Sequence, residues 1–418
     1  MRRILDLIAP PRMGVPFRWN LASVWIGNLG DGIALAAGPL LVASQTRNPA
    51  LIAAAAMVQR LPNLVIGLYA GALADRVNRK RLVVIANVLR AVVIGGLITT
   101  IVTGWVSIWA VLGALLLVGF AEQFADSGTR AVLPTIVPKA DLGIGSARQM
   151  AGYLVANELL GPPIGAFLFA VGMAVPFGAQ AAAVLLAAWL FTRVELPRRE
   201  SETRPEQHIG RDIVEGLRWI RHNRAVRTLS LVIFIFNLTW GAPWGILVLW
   251  AQDQLGVGAV GFGLLSTAVG LGGIVAIGSY DWLEKRLPLA TLMKTCLTLE
   301  VLLHLALANT RHEWLALIFM FVFGTYAFVW GSVSNTVRMR ATPDRFQGRV
   351  ASVYFFGMTS GLLVGQFLGG LIATRWGVAA PFWFAFVGSG VTLAIVWRQL
   401  DHIAHADALD TDPGNSAS

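Results

Sequence analysis

Three charged residues, Asp31, Arg60 and Glu158, lie inside long apolar segments of the chain. A charge at the centre of a bilayer costs about 2.5–3.5 kcal/mol on insertion scales, and such residues commonly serve ion or proton movement. Asp31 and Arg60 fall at similar depth in two consecutive segments that run in opposite directions, so we expect them to form an ion pair. This pair would serve either proton exchange at Asp31 or the static joining of two helices.

Glu158 lies in the middle of the segment that contains NELLGPPIG. An unpaired carboxyl group in apolar surroundings can carry a proton at neutral pH, which is the property that a proton antiporter needs. Glu158 is therefore a second candidate for proton coupling. Glu122 and Asp126 lie nearer the inner end of their segment, where we expect a network with Arg130 or with the loop after the second segment.

Aromatic side chains recur at helical spacing in two later segments. Trp240 and Trp244 lie one turn apart with Asn237 beside them, and Tyr326 and Trp330 repeat the spacing. Such faces can line a site for a large, partly apolar solute. The alternative is an interfacial belt, which is common for Trp near the ends of membrane spans.

The composition explains which elements carry these residues. Of 418 residues, 56% are hydrophobic and 13% are charged, whereas a soluble protein has about 25% charged residues. The apolar blocks are about 20 residues long and must be helices, because the backbone has to be hydrogen-bonded inside a bilayer. We predict an all-α membrane protein with twelve transmembrane helices at 17–43, 50–71, 82–102, 105–127, 146–170, 173–193, 228–250, 257–280, 289–309, 313–335, 350–373 and 379–398.

The positive charges are distributed unevenly over the loops. With a cytoplasmic N-terminus, 27 of the 33 Lys and Arg residues fall on cytoplasmic segments and three on outer loops. The positive-inside rule favours this orientation and places both termini in the cytoplasm. The net charge of +10 is therefore explained by the basic residues of the cytoplasmic segments, and we expect no nucleic-acid partner.

The longest polar break divides the chain into two halves. We predict an N-terminal six-helix half at 1–193, a cytoplasmic linker at 194–227, a C-terminal six-helix half at 228–400 and a disordered cytoplasmic tail at 401–418. Ile213, Leu217 and Ile220 share one helical face in the linker. This pattern indicates a helix on the inner membrane surface, and a solvated linker helix is the alternative.

Short motifs in the first half recur in the second at offsets of 204 to 207 residues. Duplicated six-helix halves are typical of secondary transporters, in which the substrate site lies near the membrane midplane between the halves. The aligned pairs are Gly71–Arg79 with Gly278–Arg286, Pro138 and Gly143 with Pro343 and Gly348, and Gly161 and Gly165 with Gly365 and Gly369.

The segment GALADRVNRKR resembles the signature loop of the major facilitator superfamily, G-x-x-x-D-R-x-G-R-R/K. Asn78 replaces the second glycine of the pattern, and since Asn tolerates a left-handed backbone we expect the turn to be retained. Four further segments, NLGDGIALAAGPLLV, EGLRWIRHNRAVRTL, GVGAVGFGLLSTAVGLGG and TPDRFQGRVAS, are similar to the enterobactin-exporter-like and macrolide-efflux-like branch. The matching loop residues are Gly71, Asp75, Arg76, Arg79 and Lys80.

This resemblance implies export of drug-like or siderophore-like molecules by proton antiport, with the signature loop acting as a gate. Plain membrane anchoring is the alternative for its basic residues. Gly161, Pro162 and Gly165 resemble a shortened antiporter motif, and physically they indicate a kink and close helix packing. Helices three and nine of this fold usually lie outside the cavity. The polar residues in them are therefore weaker candidates for a role in transport. These residues are Arg90 in helix three and Lys294, Glu300 and His304 in helix nine.

We therefore predict a secondary active transporter that exports amphipathic small molecules by alternating access, and an uptake permease of the same fold is the alternative. A non-transporting sensor or enzyme is remote, because the sequence has no HExxH, no Walker A loop, no nucleophile–base pairing and only one Cys. We expect no cofactor and no metal, with the proton gradient as energy source. The partners would be a small-molecule substrate and the lipid bilayer of the bacterial inner membrane, with the protein a monomer by analogy.

Overall fold

The computed structural model describes residues 10–196, 218–343 and 346–404, and of residues 68–76, 224–225 and 402–404 it describes the backbone alone. Every regular element in these ranges is helical. The first group of helices is α1 (Gly14–Gln45), α2 (Pro49–Arg76), α3 (Arg79–Val102), α4 (Ile108–Ile136), α5 (Leu142–Gly152), a π-helix (Tyr153–Leu160), α6 (Gly161–Val171) and α7 (Val175–Thr192).

The second group begins after the linker. It comprises α8 (Arg224–Gly245), α9 (Leu247–Asp253), α10 (Ala259–Arg286), α11 (Leu289–Asn309), α12 (Glu313–Arg340), α13 (Gln347–Trp376), α14 (Ala380–Val396) and α15 (Gln399–Ala404). Side-chain caps start several of these helices. Ser107 accepts a hydrogen bond from the Ala110 amide at 3.2 Å, and Asn223 accepts one from the Val226 amide at 3.0 Å. Each cap satisfies an amide that the first helical turn leaves without a partner.

Eleven helical stretches of the described chain are long and apolar enough to cross a membrane. The stretch that corresponds to the predicted twelfth span is the apolar helix Ala380–Val396, which has 17 residues. An all-helical protein with many membrane spans is therefore confirmed. The count of twelve and the cytoplasmic position of the termini stay predictions.

The chain forms two compact units. One comprises Met1–Arg204 with Gly256–Thr267, and the other comprises Pro205–Leu255 with Ala268–Ser418. In the first unit, α1 packs on α2, α4, α6 and α7, and α3 packs on α4 and α7. In the second unit, α8 packs on α13 and α14, and α11 packs on α12 and α14.

The repeated glycines at 161, 165 and 365 lie where helix backbones touch. A Cβ atom on Gly161 would overlap the backbone of Gly32, and a Cβ atom on Gly165 would overlap that of Ile33. Gly365 has the same relation to the backbone of Leu238 in α8. Small residues at such crossings let helices gain van der Waals contact where lipid supplies no hydrophobic driving force.

The last part of the linker differs from both expectations for it. Residues 218–222 are helical, and Ile220 is buried against Val226 and Val350 rather than facing lipid or water. Trp219 stacks on Phe346 with ring centroids 5.5 Å apart. The other two apolar positions that define the predicted face, 213 and 217, lie outside the described residues. The basic residues around Ile220 suggested a helix at a surface, and the sequence therefore did not predict that Ile220 is buried.

The start of the predicted tail is ordered. Asp401 belongs to α15, and its two carboxylate oxygens accept hydrogen bonds from Lys294 at 2.7 and 2.8 Å. The ammonium group also lies over the Trp397 ring, 5.1 Å from its centroid. Disorder was expected from residue 401 onward, and this ion pair corrects that boundary. Residues 405–418 lie outside the described part of the chain.

Candidate functional site: two buried ionisable clusters

The first cluster joins three helices of the first unit, and we call it the Arg90 cluster (Asp31, Asn87, Arg90 and Glu122). Arg90 on α3 is 2% exposed, and its guanidinium group donates to the Asp31 carboxylate on α1, which is 8% exposed. The same guanidinium donates to the Asn87 side-chain oxygen at 3.0 Å. A buried ion pair persists only when each charge keeps a partner, so this contact holds α1 and α3 in one arrangement.

Glu122 brings a second carboxyl group to the same arginine. Its Oε2 lies 3.9 Å from Arg90 Nη2, within ion-pair range but too far for a hydrogen bond. One turn further along α4, Asp126 pairs with Arg130 at 3.3 Å on an exposed face. Because an arginine side chain is always charged, two ionised carboxyl groups around Arg90 would leave one net negative charge. A single proton cancels that charge.

These contacts correct two expectations from the sequence. The partner of Asp31 is Arg90 and not Arg60, because α3 carries its arginine to the depth of Asp31. Arg60 is half-buried on α2. Glu122 faces Arg90 rather than Arg130 or the loop after α2, whereas Asp126 forms the predicted contact with Arg130. Polar residues at 87 and 90 share one face of the apolar helix α3, and this i, i+3 spacing was the signal that could have identified the cluster.

Glu158 has a hydrogen-bond partner and is not the unpaired carboxyl group that the sequence suggested. Its Oε1 accepts a hydrogen bond from the Tyr153 hydroxyl at 2.7 Å, and Glu158 is half-buried. Both residues lie in the π-helix, whose i, i+5 repeat brings side chains five positions apart together. An α-helix would place them on different sides, so the sequence read as an α-helix could not predict this bond.

The π-helix ends where the motif GPPIG begins. Gly161 starts α6, and the next two residues are prolines that lack the amide needed for a regular helical bond. Pro162 is buried, and Gly161 and Gly165 touch the backbone of α1. The helical path therefore changes from π to α geometry at this motif, directly where it crosses α1.

The signature loop is described in part. At Gly71, Asp75 and Arg76 the structure describes the backbone alone. Arg79 Nη1 donates to the Ala131 carbonyl on α4 at 2.7 Å, and Lys80 Nζ donates to the Val194 carbonyl at 3.0 Å. Arg79 and Lys80 thus bind backbone carbonyls of other segments of the first unit.

Asn78 does not adopt the left-handed backbone that was expected for it. Its φ is −66° and its ψ is 104°, and its side chain accepts a hydrogen bond from the Arg81 amide at 3.1 Å. Asn78 is the N-cap of α3. Its role here is to cap the helix, which requires no positive φ.

The second cluster lies in the second unit, and we call it the His304 cluster (Glu300, His304 and Tyr326). Glu300 Oε1 is 3.0 Å from His304 Nε2, and Glu300 Oε2 accepts a hydrogen bond from the Tyr326 hydroxyl at 2.6 Å. Their exposures are 7%, 0% and 5%. From the sequence, Glu300 and His304 were weak candidates for a transport role, because helix nine of this fold usually lies outside the cavity.

An aromatic group covers this cluster. Trp240 stacks on Phe323 with centroids 3.8 Å apart, and its ring is 4.9 Å from Trp244 and 5.8 Å from His304. Phe323 also contacts Tyr326 edge to face at 5.5 Å. The structure thus joins three of the predicted aromatic residues, Trp240, Trp244 and Tyr326, through Phe323, which the sequence argument did not include.

The other two predicted cavity residues behave differently. Asn237 donates to the Ile233 carbonyl of its own helix at 2.8 Å. Trp330 is 9% exposed, and within the described residues no ring contact joins it to the aromatic group. Neither side chain is an evident part of the covered cluster. Across the part of the chain that the structure describes, no group of three or more His, Cys, Asp or Glu residues is placed to hold a metal ion.

Comparison with known proteins identifies the family to which this chain belongs. The family model described as transmembrane secretion effector, MFS_3, matches residues 7–417. The chain belongs to this family. It is therefore a transporter of the major facilitator superfamily, and the resemblance seen in the signature loop is confirmed.

Relatives support the efflux branch of the family. The chain is 23% identical to macrolide efflux protein A of Streptococcus pyogenes over 93% of its own length and 98% of the relative's. It is 25% identical to the enterobactin exporter EntS of Escherichia coli, covering 79% and 80% of the two chains. An uncharacterized MFS-type transporter of Mycobacterium tuberculosis is 36% identical, but that match covers only 35% of each chain.

The fold itself recurs in solved structures. A bacterial homologue of the iron transporter ferroportin, in an inward-facing state, superposes with a TM-score of 0.72. The match covers 92% of this chain and 98% of that one at 14% identity, so it shows the fold alone.

Proposed function

We propose that this protein is a secondary active transporter that exports amphipathic small molecules across the bacterial inner membrane in exchange for protons. In this proposal twelve spans form two halves that work by alternating access, with both termini in the cytoplasm. Efflux is supported by the names of the relatives, and proton coupling is supported by the Arg90 cluster.

The observation that carries the proposal is one buried guanidinium group shared by two carboxyl groups. Arg90 binds Asp31 directly and has Glu122 3.9 Å away. Unpaired charge is costly in a membrane interior, so the cluster favours binding one proton. Reversible binding of a single proton at a buried site is the chemistry that coupling to a proton gradient requires.

The same geometry suggests how a proton changes the conformation. When Asp31 takes up a proton, its attraction for Arg90 falls, and the guanidinium moves to the ionised Glu122. When the proton leaves, Arg90 returns to Asp31. Asp31 lies on α1 and Glu122 on α4, so each exchange of partners shifts α3 relative to two helices. Tight packing converts such shifts into switches between discrete states rather than gradual movements.

In this proposal the substrate binds to the aromatic surface of α8. Trp240 and Trp244 are half-buried on α8, and flat rings of this kind bind large, partly apolar molecules. Relatives named for macrolide and enterobactin efflux suggest the size of solute to test first. An uptake permease is the alternative, and the assay below measures the direction of transport.

The test uses purified protein in proteoliposomes with a pH gradient of either sign, a macrolide and a catecholate siderophore as probes, and a pH-sensitive dye. We expect solute movement against its gradient only when protons flow the opposite way. Asp31→Asn and Glu122→Gln should each lower this driven transport at least tenfold. Glu313→Gln, which changes an exposed carboxyl group at the start of α12, is the matched control and should behave as wild type.

Three results would contradict the proposal. Transport that ignores the pH gradient would exclude proton coupling. Solute and protons moving in the same direction would favour the uptake permease. Full activity of both variants would show that the Arg90 cluster does not couple transport to protons. Glu158→Gln would then test the other carboxyl group that the sequence suggested for proton coupling.

A further inference from the structure

The His304 cluster differs from the Arg90 cluster in having no permanent cation. Glu300 accepts hydrogen bonds on both carboxylate oxygens, from His304 Nε2 and from the Tyr326 hydroxyl. His304 Nδ1 is buried and has no partner among the described residues. With Nε2 as the donor to Glu300, the Nδ1 lone pair of the neutral ring is an open acceptor, and a buried polar atom without a partner is costly.

Among the described residues, the ion-pair partner of Glu300 is His304, which is charged only when it is protonated. Lys294 does not serve the cluster, because its ammonium group is bound by Asp401. The group beside the carboxylate of this cluster is therefore a histidine and not a permanent cation.

The surroundings of His304 contain few other ionisable groups. On α11 itself these are Lys294, about 9 Å before Glu300 along the helix axis, and the buried thiol of Cys296. From α12 the facing group is Tyr326, and from α8 it is the uncharged ring of Trp240. The sequence of α14, which packs on α11, contains no titratable residue, and α15 contributes Asp401, which holds Lys294. The charge of the cluster is thus decided by Glu300 and His304.

We propose that His304 Nδ1 is a second proton-binding site of the transporter, with Glu300 and Tyr326 as its positioning residues; its role in coupling rests on the proposed proton antiport. The Nδ1 lone pair binds a proton delivered by water, the Nε2–H stays hydrogen-bonded to Glu300, and the net charge of the cluster changes from −1 to 0. Release of the proton reverses the step. A carboxylate bound to the far nitrogen orients an imidazole ring and stabilises its charged form.

Two further contacts fit this role. The Trp240 ring lies 5.8 Å from the His304 ring, a distance at which an aromatic face attracts a cation. Trp240 also belongs to the aromatic surface assigned to the solute. A solute that displaces Trp240 would remove this support from the protonated imidazole and promote release of the proton. His304 is 0% exposed here, so exchange with water requires a different arrangement of the surrounding helices.

The test is a pH titration of full-length protein in nanodiscs with ¹⁵N-labelled histidine, followed by NMR between pH 5 and 8. His304→Gln assigns the resonances, and its amide group can still donate to Glu300. We expect His304 to gain a proton at Nδ1 within this range while Nε2 keeps its hydrogen. Glu300→Gln should lower the midpoint by at least one pH unit, a tenfold loss of proton affinity. His312→Gln, which changes an exposed histidine, should leave the His304 midpoint unchanged.

A His304 ring that stays neutral over the whole range, or a midpoint that Glu300→Gln does not alter, would overturn the proposal. Transport separates this site from the Arg90 cluster. We expect His304→Gln to keep macrolide exchange at equal pH within twofold of wild type and to lose at least tenfold in transport driven by a pH gradient. Equal losses in both assays would show a structural role for His304. Absence of gradient-driven transport in wild type would instead refute the proposed antiport and leave the NMR result to decide the site.

Discussion

Replacing the buried Arg90 by Met should destabilise the protein more than the same replacement of any arginine on the surface or in the loops of the first unit. The change removes the guanidinium group that binds Asp31 and Asn87. Removing one partner of a buried ion pair costs about 3–5 kcal/mol, because the other charge stays buried without compensation. Asn87 also loses a hydrogen bond worth about 1 kcal/mol. We expect the free energy of unfolding to fall by about 3 kcal/mol or more, over a hundredfold in the folded-to-unfolded ratio.

The assay is reversible unfolding in mixed micelles followed by circular dichroism. Arg130→Met is the matched control, since its ion pair with Asp126 has side chains 76% and 41% exposed and should contribute less than about 0.5 kcal/mol. Adding Asp31→Asn to Arg90→Met should restore at least half of the loss, because no uncompensated charge is then left on α1. Equal stability of Arg90→Met and the control, or failure of the second substitution to restore stability, would refute the assignment of Arg90 as the counter-charge of Asp31.

Three further predictions concern local contacts. Gly165→Ala should lower stability by more than 1 kcal/mol because its Cβ atom would overlap the α1 backbone, whereas Gly95→Ala, with open space around it, should be neutral or stabilising in the same unfolding assay; equal effects would exclude close packing at Gly165. Asn78→Ala should cost about 1 kcal/mol through loss of the N-cap and Asn78→Gly only a few tenths, and a stabilising Gly would favour a left-handed turn instead. A double-mutant cycle on Lys294 and Asp401, whose side chains are 21% and 54% exposed, should give a coupling energy of at most about 1 kcal/mol that weakens with salt, and a larger value would show that α15 is needed for folding.

Depth in the membrane was predictable from the sequence, but the neighbours at that depth were not. The position of Asp31 within its apolar segment placed it away from both membrane surfaces. Arg60 and Arg90 both met that depth requirement, and consecutive segments were the simplest choice. Only the packing of α3 against its neighbours shows that Arg90 is the partner. Hydropathy reports how far a residue is from the surface and carries no information about its direction around the bundle.

Local geometry was a second limit. The motif at Gly161 was recognised, but the π-helix before it was not, because α- and π-helices have the same composition. The bond between Tyr153 and Glu158 follows from the i, i+5 repeat and from nothing in their residue types. Asn78 shows a related difficulty, since the same residue type suits both a left-handed turn and a helix cap.

The sequence by itself determined the properties that depend on composition and order along the chain. These are the helical membrane architecture, the repeat at offsets of 204 to 207 residues and membership of the major facilitator superfamily. They are decided by transfer of long apolar segments into lipid and by motifs of a few adjacent residues, both of which are local in sequence.

The tertiary structure decided which embedded polar residues meet. Asp31, Arg90 and Glu122 come from three helices, and Glu300, His304 and Tyr326 come from two. Each contact depends on how a helix is rotated about its axis, and that rotation is set by the packing of whole helix faces against their neighbours. The chemistry of this transporter is therefore encoded in packing between segments, because a charge in a membrane is stable only beside the partner that packing supplies.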